Sequence, residues 1–485
     1  MNALRQLRKG TRLLGRRALC EHAPRWPRLA PAGRMGRASG GDVMETLLEQ
    51  ATRLVRRLRE AGFEAYLAGG CVRDQLLDRA PKDYDIATSA PPEKVRLLFP
   101  ETVPVGVQFG VVLVIDGGVA FEVATFRSDG KYLDGRHPVT VEFSTAEADA
   151  RRRDFTINGL FFDPLAEVVI DYVGGQADLE AGVIRAIGDA AERIHEDRLR
   201  MIRAVRFAAS FGFTIEPRTH AAIRANATAI TSVAWERVGA EVVRILTGGA
   251  ARRGFELLAE TGLLEPILPE VAALRGAQQS PDYHPEGDVL THTLLVLEQL
   301  PPGVSETLAL GALLHDVAKP LCAVEGEGRV TFHGHSERGA EIAAEICQRL
   351  RRPREVWERT AYLVRNHLRL AQAPEMRLAT LKRMLREDGF PELLKLARLD
   401  ALGSHGDLRL VEFCERKLAE FGAEAIRPTP FLRGRDLIIM GYQPGPRFSE
   451  MLGAVEAAQL EGEVRSRDEA EEWLREHYPL PAPPR

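Results

Sequence analysis

From Ile194 onward nearly every apolar residue recurs at helical spacing, whereas the strand-like runs of this 485-residue chain all lie before Leu179. Strands gathered at one end and helices at the other predict an α+β protein, with a compact sheet-bearing head and an all-helical remainder. The strand-like runs are Ala65 to Ala68, Asp83 to Ala87, Val111 to Ile115, Ala120 to Thr125, Val139 to Phe143 and Val168 to Asp171. An amphipathic helix through Glu60 precedes the first run, and a second helix with Val72, Leu76 and Leu77 inward follows Gly69-Gly70. Helical spacing then holds over Ile194 to Phe211, Ala234 to Leu246, Gly254 to Thr261, Leu290 to Leu300, Thr307 to Val317, Gly339 to Leu350 and Glu355 to Asn366.

A chain this long exceeds one ordinary core, so two to four packed units of roughly 100 to 200 residues are expected. With 45% hydrophobic and 28% charged residues it reads as globular, and no apolar run reaches the roughly 18 residues that span a bilayer. Cys20, Cys71, Cys322, Cys347 and Cys414 are scattered without a CxxC pair, which argues against a disulfide framework and a thiolate zinc site and suits a reducing cytoplasm. The net charge of -4 weighs against a nucleic-acid partner, but basic residues cluster at Arg151 to Arg153, Arg198 to Arg206 and Arg349 to Arg352. A local positive surface on an acidic whole is therefore expected. Residues 1–43 are basic, rich in Pro and Gly, and predicted to be disordered; they read as an organellar-type leader or as an over-long start ahead of Met44.

Asp83 and Asp85 flank Tyr84 in a strand-like run, and because strand side chains alternate, both carboxylates leave the same face. Such a pair can hold Mg2+, and two metal ions clamped by acids lower the pKa of an attacking hydroxyl and neutralise a leaving pyrophosphate. Glu122 is the candidate third carboxylate. An Asp-x-Asp alone is more often an exposed edge or turn, but Gly69-Gly70-Cys71-Val72-Arg73-Asp74 stands shortly before it. Glycines there let a triphosphate approach backbone N–H groups at a helix start, and Arg73 adds a bidentate contact.

Gly69 to Asp74 followed by Lys82 to Thr88 resembles the nucleotidyltransferase family that includes CCA-adding enzymes and bacterial poly(A) polymerases, and the likeness continues through Phe121 to Arg127, Asp134 to Pro138 and Arg152 to Leu160. It implies that Arg153 and Asp154 meet the sugar and phosphates of the nucleotide. Glu196-Asp197-Arg198-Leu199-Arg200 resembles the EDxxR nucleotide-selection motif of the bacterial-type (class II) CCA-adding enzymes. On a helix Asp197 and Arg200 share a face, with Leu199, Ile202 and Val205 opposite. One carboxylate and one guanidinium suit both cytosine and adenine, which pair a donor amino group with an acceptor ring nitrogen, while uracil and guanine reverse that order. Arg203 and Arg206 are assigned to phosphates or to buttressing, and Trp235 to Leu246 resembles the neck helix that follows in the family.

Farther on, His292, the adjacent His315-Asp316 and the distant Asp400 offer imidazole and carboxylate ligands to a divalent metal that activates water toward a phosphoester. One histidine in an apolar helix is more often a core residue, but this ordered series resembles the HD phosphohydrolase superfamily. In that likeness His335 and His367 stand where two-metal members carry extra histidines; His284 and His333 match nothing in it.

The resemblance implies a nucleotidyltransferase head over 44–175, a helical neck over 176–249, connecting helices over 250–287, an HD domain over 288–405 and RNA-contacting helices over 406–485. It implies an enzyme adding CCA to tRNA 3′ ends from CTP and ATP with Mg2+, and a second divalent metal at the HD site. The alternatives are an A-adding enzyme or poly(A) polymerase, and an HD phosphohydrolase whose head only binds RNA.

Overall fold

The computed structural model describes residues 46–104, 110–129, 141–279, 287–326 and 329–480. The leader, the Asp134 to Arg136 element and His284 lie outside them. The chain divides into two compact units: the first runs to Ala181 and takes in Arg185–Gly188, and the second takes Gly182–Ile184 and everything from Asp189.

The first unit begins with α1 (Leu47–Glu60), started by a capping box between Thr46 and Glu49 and burying Ala51, Leu54, Val55 and Leu58 at helical spacing. Strands β1 (Ala65–Ala68), β2 (Ile86–Thr88), β3 (Thr102–Val103), β4 (Val111–Asp116) and β5 (Val119–Thr125) follow, with α2 (Gly70–Leu76) and α3 (Pro92–Leu98) between them. A ribbon of β6 (Arg127–Asp129) and β7 (Val141–Phe143) leads to α4 (Ala146–Arg152), β8 (Leu160–Asp163), β9 (Val168–Asp171) and α5 (Gly175–Ala181). Seven of these strands form a mixed sheet in the order β3-β4-β5-β2-β1-β8-β9. Only β2 and β5 run parallel.

In β5, Phe121, Val123 and Thr125 are buried, so the alternation turns Glu122 to the open face. Strand β8 is buried at all four positions. It carries no alternation, which is why the sequence reading passed over it. The strand expected from Asp83 begins only at Ile86. Asp83 and Asp85 lie in its extended lead-in, where the Ala68 N–H still donates to the Asp85 carbonyl at 3.0 Å. Tyr84 is buried between them, so the alternation of faces survives without the ladder.

The second unit is mainly helical and departs from the all-helical expectation in two short strand pairs, Val183–Ile184 with Thr214–Ile215 and Val324–Gly326 with Arg329–Thr331. Among its helices α6 (Ala190–Glu196), α7 (Arg200–Phe211), α8 (Pro217–Asn226), α9 (Trp235–Thr247) and α10 (Ala251–Glu260) come first. The single helix expected over Ile194 to Phe211 is broken, because Asp197 adopts extended angles (φ -141°, ψ 102°). Its carboxylate accepts the Leu199 N–H at 3.1 Å, a local bond that competes with helix continuation. Asp197 and Arg200 therefore end one helix and start the next instead of sharing a helical face.

Beyond α10 the helix Glu306–Leu314 is buried from Leu308 to Leu314, as a helix that is apolar all round must be. Around it stand the helices Val289–Glu298, His335–Arg349, Arg354–Asn366 and Phe390–Gly403. A Cβ at Gly403 would lie 2.8 Å from the Val296 backbone nitrogen, so two of these helices cross backbone to backbone. The last segment builds its own core from Leu432, Leu437, Tyr442, Met451, Val455 and Leu474. No helix among the described residues is long and apolar enough to cross a membrane.

Candidate functional site

Three groups of the expected site residues assemble, each within one unit. In the first unit the parallel register pairs Ile86 with Val123. Carried back one step, it sets Asp85 level with Glu122. Burial pushes the Asp85 carboxyl up to about 6, the neighbouring Glu122 and Asp83 charges push the same way, and Arg153 partly offsets them. Three acids crowded on one face repel one another, and their hard oxygen donors fit Mg2+, which would relieve that repulsion.

Gly69 leaves β1 with φ +74°, where only glycine is unstrained, and a Cβ there would come 2.5 Å from Arg153 Nη1. Gly69→Ala is expected to displace Arg153 and to cost about 1–3 kcal/mol of stability, read by thermal unfolding, while circular dichroism keeps the wild-type helix signal. Arg153 also packs over the Phe161 ring at 5.2 Å. Both Arg152 and Arg153 pair with Asp149, at 2.7 and 3.1 Å. Against the effect of burial, these guanidinium groups hold the Asp149 carboxyl below the usual range.

Arg73 is buried and donates to Asp74 and, at 2.6 Å, to Asn158 Oδ1. Asn158 in turn donates to Asp154 at 2.9 Å. The structure thus links Arg73 to the Arg153-Asp154 element through a side-chain relay. Asp149 and Asn158 were missed from sequence, although Asp149 stands three and four residues before the arginines it holds on α4.

In the second unit Arg200 is 8% exposed. It donates to the Arg193 carbonyl at 2.7 Å and to Glu196 at 2.8 Å. Asp197 receives Arg237 Nη2 at 2.9 Å. Arg206 donates to the buried Glu241 at 2.5 Å and covers the Phe207 ring at 4.0 Å. Arg203 lies over the same ring at 5.3 Å. Arg206 is thereby held between Glu241 and the Phe207 ring.

The third group gathers His292, His315 and Asp400, and beside them Asp316, His335 and His367, with ligand atoms of each trio within 4.8 Å of one another. Asp316 bridges the trios, its Oδ2 3.3 Å from His315 and its Oδ1 3.4 Å from His335. His315, His335 and His367 each turn Nδ1 toward a backbone carbonyl, of Ala312, Phe332 and Val364, at 2.9, 2.7 and 2.7 Å. A carbonyl only accepts, so each Nδ1 donates, and each ring, when neutral, presents a bare Nε2 inward. His335 and His367 then oppose two lone pairs at 3.3 Å. That arrangement fits a cation between them, and such second-shell bonds orient histidine ligands.

Burial pushes His315 down, but Asp316 and Asp400 outweigh it and hold the ring up at about 9. Burial pushes His367 down to about 4. Asp316 is held well below the usual carboxylate range: burial opposes this, but His315 and Lys319 prevail. The centre opens into a cavity of about 370 Å³ walled by Lys319, Phe332, His333 and Leu368. Lys319, missed from sequence, places its ammonium 2.7 Å from Asp316 and 2.6 Å from Gln279 Oε1.

Comparison with known proteins finds the poly A polymerase head domain over residues 65–185, the probable RNA and SrmB-binding site of polymerase A over 212–274, and the HD domain over 288–402. The CCA-adding enzyme of Geobacillus kaustophilus is 45% identical over 231 residues, 47% of this chain and 57% of the relative. That of Lactiplantibacillus plantarum is 42% identical over 251 residues, 51% and 61%. The matched part thus spans somewhat over half the length of these curated relatives. A crystal structure of the Bacillus stearothermophilus CCA-adding enzyme in complex with CTP superposes with a TM-score of 0.67 at 28% identity, covering 90% of this chain and 98% of that one. The Thermotoga maritima enzyme complexed with tRNA shares the fold, at a TM-score of 0.57 and 20% identity over 88% of this chain and 94% of that one.

Proposed function

The chain carries the head domain of the poly A polymerase family, its RNA-binding segment and an HD domain, and from that premise we propose that it is a template-independent tRNA nucleotidyltransferase that builds CCA from CTP and ATP. The observation that carries the proposal is the convergence of Asp83, Asp85 and Glu122 on one face, where burial pushes the Asp85 carboxyl up to about 6 and the neighbouring Glu122 and Asp83 charges push the same way. The tRNA 3′-hydroxyl attacks the α-phosphorus of the nucleotide, and pyrophosphate leaves. Mg2+ held by Asp83 and Asp85 would supply charge neutralisation for the hydroxyl and the leaving group. Glu122 adds its carboxylate to that face. Gly69 and Gly70 give backbone access to phosphates, and Arg153 and Asp154 orient the sugar and phosphates. Arg73 acts through Asn158 on that pair. Asp197 and Arg200 read the base, with Arg203 and Arg206 supporting them.

The domain assignment is a head over 44–175, a neck over 176–249, connecting helices over 250–287, an HD domain over 288–405 and RNA-contacting helices over 406–485. The buried free thiols Cys71, Cys347 and Cys414 suit a reducing compartment, the cytoplasm. A second activity, hydrolysis of small phosphoesters, is proposed for the HD centre on the convergence of His292, His315, Asp316, His335, His367 and Asp400. Its mixed imidazole and carboxylate donors suit a first-row transition metal.

The test uses purified protein, Mg2+ and tRNA transcripts ending before CCA, after C and after CC, with CTP and ATP singly and together. Addition of CCA followed by arrest is expected. Addition of A to the CC transcript alone marks an A-adding enzyme, and long A tracts mark a poly(A) polymerase.

A further inference from the structure

The break between α6 and α7 leaves Asp197 19% exposed at its side chain, with a partner that comes from forty residues away. Arg237 on α9 sets its guanidinium fork on both carboxylate oxygens, Nη2 to Oδ2 at 2.9 Å and Nη1 to Oδ1 at 3.4 Å. Oδ1 also takes the Leu199 N–H at 3.1 Å. One turn farther along the same face of α9, Glu241 is 2% exposed and receives Arg206 at 2.5 Å and Arg244 at 2.7 Å. Helix α9 therefore pins the corner with two ion pairs of opposite polarity. Gly239, between those two residues, faces the Leu350 carbonyl so closely that a Cβ would strike it. The helix is wedged on its other side and cannot drift from the corner.

We propose that Arg237 is a specificity-determining positioning residue: it holds Asp197 as a fixed, acceptor-only reader of the incoming base. The inference rests on the nucleotidyl-transfer reading above and deepens it. A carboxylate offers about four lone-pair sites. Arg237 and the Leu199 N–H take three, so what remains meets one donor from the base. The exocyclic amino group of cytosine or adenine supplies that donor, while O4 of uracil or O6 of guanine brings acceptor against acceptor. With Arg237 gone, Asp197 keeps only the Leu199 bond. Its carboxylate can then turn away or bridge through water to an oxygen, and the wrong base loses its penalty.

The experiment measures kcat and KM for CTP, ATP, UTP and GTP separately, on a tRNA transcript ending before CCA, with full-length wild type, R237A, R237Q and E241Q. The ratio of kcat/KM for CTP over UTP is expected to fall about tenfold or more in R237A and R237Q. KM for CTP rises, and kcat changes by less than about threefold. R237Q keeps the stem and one hydrogen bond, so it carries the test where R237A does not fold. E241Q loosens the other ion pair, and it is expected to slow all four nucleotides while leaving the ratio unchanged. A folded R237Q with the wild-type ratio overturns the inference. So does a ratio that falls equally in E241Q, because the effect would then belong to a slack neck and not to Asp197. Wild-type protein that adds neither C nor A overturns the underlying reading before any variant is compared.

Discussion

Asp85→Asn is expected to abolish nucleotide addition, with kcat for CTP on a tRNA transcript ending before CCA falling by about a thousandfold. Asparagine keeps the shape of the side chain and one oxygen but removes the charge that a hard divalent cation needs. The same change removes the middle charge from three mutually repelling acids, Asp83, Asp85 and Glu122. Loss of a half-buried anion next to like charges does not destabilise a fold. Thermal unfolding in chelator is therefore expected at the wild-type temperature or above it. Activity and stability moving in opposite directions would mark the acids as a site held at a cost to the fold. A variant that keeps its activity would remove Asp85 from the metal-binding assignment, and one that unfolds would make it a structural residue.

The parts legible in the sequence are those in which chemistry and chain order coincide. Gly69 follows β1, and Asp83 and Asp85 lead into its partner strand β2, so the order of the two motifs along the chain and their resemblance to the family already pointed to them. The ordered series His292, His315-Asp316, His335, His367 and Asp400 was legible as a resemblance to the HD superfamily, and the fold gathers its members into two adjoining trios. What stayed hidden depends on contacts that leave no periodic trace. Strand β8 is buried on both faces, so its apolar run has no alternation to show. The break at Asp197 does not disturb the apolar spacing, because Ile194, Leu199, Ile202 and Val205 remain buried on both sides of it. Arg237 and Glu241 read as ordinary helix-surface charges until the fold sets them against Asp197 and Arg206.

The same hidden layer decides how each site is tuned. Arg73 is linked to Asp154 through Asn158, and Arg152 and Arg153 both pair with one buried carboxylate, Asp149. These contacts are made within the chain itself. A site preorganised in this way spends little free energy on ordering side chains when the nucleotide binds.

Asp316→Asn is expected to empty the HD centre of divalent metal and to lower phosphoester hydrolysis by about a thousandfold, with CCA addition retained. Among the described residues Asp316 is the one whose two oxygens face both histidine groups, so its charge serves both halves of the centre. Metal content after dialysis, read by mass spectrometry, separates loss of ligation from loss of turnover. Asp316→Ala adds a second consequence. Lys319, 7% exposed at its side chain, loses the carboxylate 2.7 Å from its ammonium and keeps the Gln279 oxygen and the Phe332 ring face, neither of which carries a charge. An uncompensated buried charge costs about 3–5 kcal/mol, so this variant unfolds at distinctly lower denaturant, whereas asparagine still offers Lys319 an oxygen. Equal stability of the two variants would show that Lys319 finds water instead. Wild-type protein that retains metal yet hydrolyses no phosphoester would make the centre a metal-stapled scaffold, and wild-type protein that retains none would end the HD reading.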